Sequence, residues 1–233
     1  VIIAEAEPPS IDRDEVFLIE DWRVRTDGTA LAPGADSKDA TVLYTVNGQI
    51  LPDLAVRGHE RLRLRLINGC QRAVVAVKIA DTEVRVMAID SQPAEPFPAR
   101  NGAVILPPGG RADVFLDVPS AAKTPLPILL HDGAAAQPIA RLAPAIEAPI
   151  RPAPLPPAPP LPSNGLPDKL DLKSALRAEL TLDGPDWLAP AGFSTSNKPV
   201  FQAKTGRCVM LALVNRSPAA AVFHPFVFLC LPA

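Results

Sequence analysis

The strictest pattern in this 233-residue chain is the run Arg61-Leu62-Arg63-Leu64-Arg65-Leu66, in which charged and apolar side chains alternate without a break. Because side chains of a strand point alternately to its two faces, the three leucines share one face and the three arginines the other. A helix would scatter the same residues around its axis. The run therefore predicts a β-strand whose leucines lie in a core, and we expect its arginine face to be solvated.

Short apolar runs recur through residues 1–143, separated by turn residues. The runs are 16–19, 20–24, 41–46, 61–66, 74–79, 83–89, 103–106, 111–118, 127–130 and 139–142. The clearest turns are Asn47-Gly48 and Pro107-Pro108-Gly109-Gly110, because glycine readily adopts the positive φ that tight turns need. Strands at this spacing, with turns between them, predict an all-β sandwich or barrel.

Proline is the compositional outlier, with 29 residues in the chain, and ten of them lie between positions 144 and 167. Such a segment favours the extended polyproline II conformation and does not enter a sheet interior. Two interpretations stay open, a connector between domains and a ligand for proline-binding modules. The β patterns on both sides of the segment favour the connector.

The β pattern resumes in residues 168–233, with runs at 178–182, 199–203, 208–214 and 222–229. A piece of this size buries a small share of its surface, so it is marginal as an independent domain. It needs further sequence, or another surface to pack on.

Charge and hydropathy exclude several classes of function. The formal net charge is −2, so we expect no nucleic-acid partner. We also expect no membrane span, since no apolar run reaches the roughly 18 residues of a transmembrane helix. Residues 1–5 turn acidic at once and lack the basic start of a signal peptide, so none is expected in this chain.

Four segments, in matching order and spacing, resemble the second cupredoxin-like domain of bacterial multicopper oxidases. They are residues 15–22, 45–49, 61–69 and 108–114. Residues 205–215 and the run Phe223-His224-Pro225-Phe226 resemble the opening of the third domain. The resemblance implies an all-β fold with one complete and one partial cupredoxin-like Greek-key β-sandwich, joined by a Pro-rich linker. The corresponding boundaries are 1–143, 144–167 for the linker, and 168–233.

The resemblance also implies copper chemistry for the intact family. A type 1 centre of two His, one Cys and usually a Met takes electrons from the substrate, and a trinuclear cluster of eight His reduces dioxygen. Imidazole and thiolate are suitable copper ligands. This chain has three His, at positions 59, 131 and 224. It therefore lacks most of the ligand set, and we expect it to hold no complete copper site and no catalytic residue.

His224 is the one candidate metal ligand, because it matches the first His of the family segment H-P-x-H-x-H-G-H, a type 1 ligand. The chain departs from the family after Pro225 and reads Phe226-Val227-Phe228-Leu229-Cys230. The ligands of the trinuclear cluster are absent from this segment. A truncated or frame-shifted gene, omitted segments of a longer protein and a copper-free descendant all stay open as explanations.

The other His and the Met residues have structural interpretations. His59 is interpreted as a surface residue in a turn. His131 precedes Asp132, but no nucleophile motif accompanies the pair, so a turn is favoured over base catalysis. Met87 and Met210 lie in apolar runs and are expected in the core.

The three cysteines cannot all pair within one chain. Cys70 and Cys208 lie beside or within strands, so we expect both to be buried, where a free Cys behaves as a small hydrophobe. Cys230 lacks flanking His and is interpreted as an incidental thiol. The sequence leaves the disulfide or thiol state of all three open.

The leading hypothesis is a scaffold part of a multicopper oxidase, periplasmic or secreted as the resemblance implies. The intact enzyme would oxidise phenolic or metal-ion substrates, and the expected partner is a missing first cupredoxin domain or a second copy of the chain. A copper-free binding module of the cell envelope is the alternative. A third hypothesis is a mononuclear copper protein that uses His224 and Cys230.

Overall fold

The computed structural model describes residues 7–33, 35, 37–120, 123–163, 165, 172–182, 202–204 and 206–216. It divides into two units, residues 1–164 and 165–233. In these described ranges the regular structure consists of β-strands and one 3-10 turn at Arg100–Gly102. The predicted all-β fold is confirmed. Across the same ranges, no helix has the length and apolar character needed to cross a membrane.

Two sheets build the described part of the first unit. Its strands are β1 (Arg13–Arg25), β2 (Ala40–Val46), β3 (Asp53–Val56), β4 (Arg61–Asn68), β5 (Val75–Ile79), β6 (Arg85–Ile89), β7 (Gln92–Pro98), β8 (Ala103–Leu106), β9 (Arg111–Asp117), β10 (Leu126–His131) and β11 (Ala136–Pro144). One sheet has the order β2-β1-β4-β9-β6-β7 and the other β3-β11-β10-β5-β8. Strand β1 runs parallel to β4, and β3 runs parallel to β11. The chain passes several times from one sheet to the other, and the two sheets enclose one core, as in a β-sandwich.

Strand β4 lies inside the six-stranded sheet, and its leucine face forms the centre of the core. Leu62, Leu64 and Leu66 are fully buried and belong to one cluster with residues of both sheets, such as Val114 and Ile128. Burial of a leucine side chain contributes about 2 kcal/mol of transfer free energy. The predicted strand and its buried leucine face are confirmed.

The arginine face of β4 is not solvated, so that expectation was wrong. Arg61 and Arg63 are buried and Arg65 is half-buried. The ion pairs of this face are Arg61–Asp117, Arg63–Asp113 and Arg65–Asp14, with N···O distances of 2.8, 2.5 and 2.7 Å. These carboxylates stand on the neighbouring strands β9 and β1. They offset the cost of removing the guanidinium groups from water.

Residues 145–163 of the Pro-rich segment, here called the strap, lie against the arginine side of the six-stranded sheet. Backbone N–H groups of Ala145 and Ile150 donate to the carbonyls of Val56 and Gly58, at 2.8 and 3.0 Å. Arg61 Nη2 in turn donates to a strap carbonyl, that of Leu155, at 3.1 Å. The strap is therefore part of the packed first unit, and it contacts the buried Arg61.

Apolar contacts hold the end of the strap. Leu161 is buried in a small cluster with Met87, Ala88 and Phe115, and the half-buried Ala158 packs against the same cluster. The expected core position of Met87 is confirmed, although it lies outside the main core between the sheets.

One ion pair anchors the middle of the strap. Arg151 binds Asp12 in a bidentate manner, with N···O distances of 2.5 and 2.8 Å. Asp12 also accepts the backbone N–H of Arg61 at 2.7 Å. The hydrogen bond from Arg151 lowers the pKa of Asp12, although burial acts in the opposite direction. This carboxylate thus connects the start of β1, strand β4 and the strap.

The second unit repeats the opening of the first. Its described strands β12 (Leu176–Leu182) and β13 (Val209–Asn215) pair in parallel from Leu176↔Val209 to Leu182↔Asn215. Strands β1 and β4 pair in the same sense, over the same number of residues, from Arg13↔Leu62 to Ile19↔Asn68. An asparagine ends the later strand in both pairs.

The turns before β4 and β13 match as well. His59 and Gly206 both have positive φ, 59° and 78°, three residues before the first pair of their strands. In both turns a backbone N–H donates to the carbonyl three residues earlier, Glu60 to Arg57 and Arg207 to Lys204. The predicted strands at 178–182 and 208–214 are confirmed, whereas 222–229 and most of 199–203 lie outside the described residues.

Substitution Asp12→Asn is expected to loosen the strap, because it removes the charge that holds Arg151. The folded protein lowers the pKa of Asp12 below 3.8, so the pair stabilises the fold above that pH. Its contribution is lost as the pH falls through the folded-state pKa. At pH 7 the urea midpoint of unfolding should therefore be higher for wild type than for the variant. The two midpoints should converge as the pH falls through the folded-state pKa of Asp12.

Asp53→Asn is the matched control, since Asp53 makes a similar bidentate pair with Arg141 in an exposed position away from the strap. Proteolysis at pH 7 should cut the strap faster in Asp12→Asn than in the control. Equal cleavage of both variants would contradict the anchoring role of Arg151.

Candidate functional site

The candidate metal ligand His224 lies outside the described residues, and so does Cys230. Its role stays a prediction. The part of the chain that the structure does describe contains no group of three or more His, Cys, Asp or Glu able to hold a metal ion. The described residues thus do not fit a copper site by themselves.

His59 serves a backbone turn. Its N–H donates to the carbonyl of Val118 at 2.8 Å, and its own carbonyl accepts a hydrogen bond from the Arg151 side chain. The side chain is half-buried at the turn between β3 and β4. The residue therefore positions the strap through its main chain and brings no second His or carboxylate into a site.

His131 and Asp132 also form a turn. His131 Nδ1 accepts the backbone N–H of Gly133 at 3.0 Å. Asp132 accepts the N–H of Ala134 at 2.9 Å and the hydroxyl of Tyr44 at 3.0 Å. The turn amides lower the pKa of Asp132, and burial raises the pKa of Tyr44. Both carboxylate oxygens are engaged in holding the turn to β2, as the favoured turn interpretation requires.

Cys70 is buried, with its Sγ 3.9 Å from the carbonyl oxygen of Ile19, and it is a free thiol. Burial raises its pKa to about 12, so the side chain is neutral at physiological pH. Thiolate is the form that binds metals and reacts as a nucleophile. Cys208 is also free but half-buried, so the expected burial is right for Cys70 and only partly right for Cys208.

Three first-unit segments that carry the resemblance, 15–22, 61–69 and 108–114, meet around Asn68, which is fully buried. Its side-chain amide donates to the carbonyls of Ala73 and Leu106, at 2.8 and 2.9 Å, and its Oδ1 accepts the N–H of Cys70 at 2.9 Å. Its main chain exchanges hydrogen bonds with Gly109 and Gly110. The asparagine at the end of β4 thereby joins two turns and both sheets.

Gly69 is required at this point by a close approach of two backbones. Its N–H donates to the carbonyl of Ile19 at 2.7 Å, and an added Cβ would lie 2.9 Å from a Leu18 methyl carbon and 3.0 Å from that carbonyl oxygen. A side chain therefore fits only if the Leu18 side chain moves and the Ile19 carbonyl shifts slightly. The Asn68-Gly69 dipeptide is therefore a junction of the fold.

Asn47 makes a second junction. Its Oδ1 accepts the N–H of Leu18 at 3.0 Å, and its Nδ2 donates to the carbonyl of Val16 at 2.7 Å. The φ angles of Asn47 and Gly48 are both positive, 52° and 76°, as the tight turn between the bridged residues Val46 and Gln49 needs. The motifs that carry the resemblance are thus structural in the first unit.

This arrangement has counterparts among solved structures. A multicopper oxidase from Pseudomonas thermotolerans has 26% identity and a TM-score of 0.60, covering 75% of this chain and 42% of that one. Lac15 from a marine microbial metagenome has 26% identity and a TM-score of 0.66, covering 92% and 50%. A multicopper oxidase from Pseudomonas parafulva has 22% identity and a TM-score of 0.67, covering 92% and 53%.

The chain has the cupredoxin-like fold of multicopper oxidases. It spans about half the length of these solved structures. No protein-family model and no curated protein matches it. The sequence resemblance to multicopper oxidases is therefore confirmed for the fold. The assignment of the two units to particular domains of an oxidase stays a prediction.

Several residues that organise this multicopper oxidase-like fold gave no sequence signal. Asp12 and Arg151 are far apart in the sequence, and Tyr44 and Asp132 are joined across the two sheets. A single sequence has no periodic pattern that relates such distant positions. The strict alternation of β4 did place three arginines on one face of the strand. Such a group of positive charges indicates that carboxylates lie nearby, and this was the only signal in the sequence for these ion pairs.

Asn68→Ala is expected to destabilise the fold by about 3 kcal/mol, because a buried carbonyl, a part-buried carbonyl and a buried N–H lose this side chain as a partner. Asn47→Ala, at an exposed turn, should cost about 1 kcal/mol. Urea denaturation followed by circular dichroism measures both. Equal costs would mean that the buried junction at Asn68 is no more important than a surface turn.

Cys70 should resist alkylation in the folded protein at pH 8, because burial keeps its thiol protonated and covered. Iodoacetamide labelling followed by peptide mapping should modify the half-buried Cys208 first. In urea, both thiols should react at similar rates. Labelling of Cys70 as fast as Cys208 under native conditions would contradict its burial.

Proposed function

We propose that this chain is part of a multicopper oxidase, with its first unit as the structural second domain and its second unit as the start of the third. The repeated parallel pair carries this proposal. A second pair with the register of β1 and β4 indicates two cupredoxin-like units in succession, which is the organisation that the resemblance implies. The solved multicopper oxidases with this fold support the same assignment.

The first unit acts as a scaffold in this proposal. Its chemically versatile side chains are engaged within the unit: Asp132 holds a turn, Cys70 is buried and neutral, and Asp12 anchors the strap. The arginines of β4 are neutralised by Asp117 and Asp113 on β9 and by Asp14 on β1. What the unit offers to an oxidase is a rigid body that sets the positions of its neighbours.

The intact protein would use copper to oxidise phenolic or metal-ion substrates and pass the electrons to dioxygen, in the periplasm or outside the cell. His224 would be one type 1 copper ligand there. Its fellow type 1 ligands would come from a later part of the third domain, where the family has its H-C-H segment. The chain alone is then inactive.

Copper analysis of the purified chain tests the scaffold role. After incubation with copper(II) and dialysis, we expect less than stoichiometric metal, no blue thiolate-to-copper absorption band, and no oxygen uptake with a phenol. His224→Ala is the matched control. A blue band with one copper per chain, lost in His224→Ala, would contradict the scaffold role and favour the mononuclear copper protein.

The reading frame upstream of this sequence tests the oxidase assignment separately. A domain with paired H-x-H segments in the same frame would support an oxidase. A copper-free protein whose full gene encodes no such domain would instead be a copper-free binding module of the cell envelope, and the assignment would fall.

A further inference from the structure

A cavity of about 250 Å³ lies in the first unit where both sheets end. Strand β7 is the last strand of one sheet and β8 is the last strand of the other, so the sandwich is open between them. The cavity wall is mainly apolar, and its buried members include Val86, Val104, Leu106 and Ala112. The function proposed above does not involve this cavity.

Three large apolar side chains stand at the mouth of the cavity. Ile89, Phe97 and Ile105 line it, yet they are 49%, 42% and 70% exposed. Single exposed apolar side chains are ordinary on protein surfaces. Here three exposed apolar residues line one apolar cavity, which favours a ligand with an apolar part.

The rim of the cavity carries positive charge. Arg100 and Arg111 both line it and are exposed, and neither guanidinium pairs with any residue in the described ranges. This distinguishes them from the arginines of β4, all of which bind carboxylates. Asp90 also lies on the rim, but its Oδ1 already accepts the backbone N–H of Arg111 at 2.9 Å. The rim thus carries two arginines and one carboxylate, and its net charge is positive.

We propose that this cavity binds a small amphipathic carboxylate, with its apolar tail between β7 and β8 and its carboxylate at Arg100 and Arg111. The volume accommodates about eight groups the size of a water molecule, which matches a medium-length chain or a single substituted ring. Burial of the tail supplies the affinity, and the two guanidinium groups select the charge.

A small molecule suits this opening better than an added strand. Strand β7 contains Pro93, Pro96 and Pro98, which have no N–H group to donate to a neighbouring strand. Prolines at such an edge oppose pairing with another chain. The cavity therefore takes a ligand from solution through its mouth, while the edge of β7 stays unpaired.

Titration of the ¹⁵N-labelled full chain with sodium octanoate, monitored by NMR, tests the proposal. We expect saturable shifts of the backbone signals of Ile89, Ile105 and Ala112. The double variant Arg100→Gln/Arg111→Gln should bind octanoate about tenfold more weakly, since each exposed ion pair contributes up to about fivefold. The variant should bind neutral 1-octanol as wild type does.

Arg25→Gln is the matched control, because Arg25 is an exposed arginine on β1, near the opposite end of the same sheet. It should leave octanoate binding unchanged. Ala103→Leu, which fills part of the cavity from β8, should weaken both octanoate and octanol, and thermal unfolding checks that it folds.

Three outcomes would overturn the proposal. The first is the absence of saturable shifts at millimolar octanoate, or shifts that lie outside the cavity. The second is equal octanoate binding by wild type and the double arginine variant. The third is a dimer in sedimentation that octanoate does not dissociate and that Ile105→Asp disrupts, because a second copy would then occupy the mouth.

Discussion

Burial of guanidinium groups on β4 is the constraint on which the first unit depends. Arg61 and Arg63 are buried, and an unpaired positive charge there would be strongly unfavourable. Asp117 must therefore stand opposite Arg61 on β9, and Asp113 must stand diagonally across from Arg63. The ion pairs therefore fix the register of β4 and β9 on the outer face of the sheet. Packing of the leucines fixes the same register on the core face. The sheet is consequently specified on both of its faces.

The strap and the turn junctions extend this constraint to the rest of the unit. Asp12 joins β1 and β4 to the strap, while Asn68 ties the end of β4 to turns of both sheets. These groups satisfy their hydrogen bonds inside the unit, which leaves little reactive chemistry in it. The open end between β7 and β8 is different, since apolar side chains and available arginines face solvent together there.

Sequence patterns predicted most of the strands, and their failures have physical causes. Strand β7 was missed because its three prolines are typical of loops, although an edge strand tolerates them where no N–H has to be donated. Strand β3 is only four residues long and shows little periodicity. Strand β1 is continuous, but the sequence shows two separate apolar runs within it. Apolar and polar residues alternate only weakly in half of this strand. Of the candidate site, the metal ligand His224 lies beyond the described residues.

The sequence by itself determined the local choices. The alternation at 61–66 determined a strand and its core face, because both depend only on the period of the side chains. The Asn-Gly and Gly-Gly motifs determined tight turns, because such turns depend only on the φ angles that these residues adopt. Only the tertiary structure decided that the arginine face is covered. The covering strap begins at residue 145, well after β4 ends at Asn68, and its contacts depend on long-range pairs such as Asp12 with Arg151. Local patterns carry no information on which distant segment will supply such a partner.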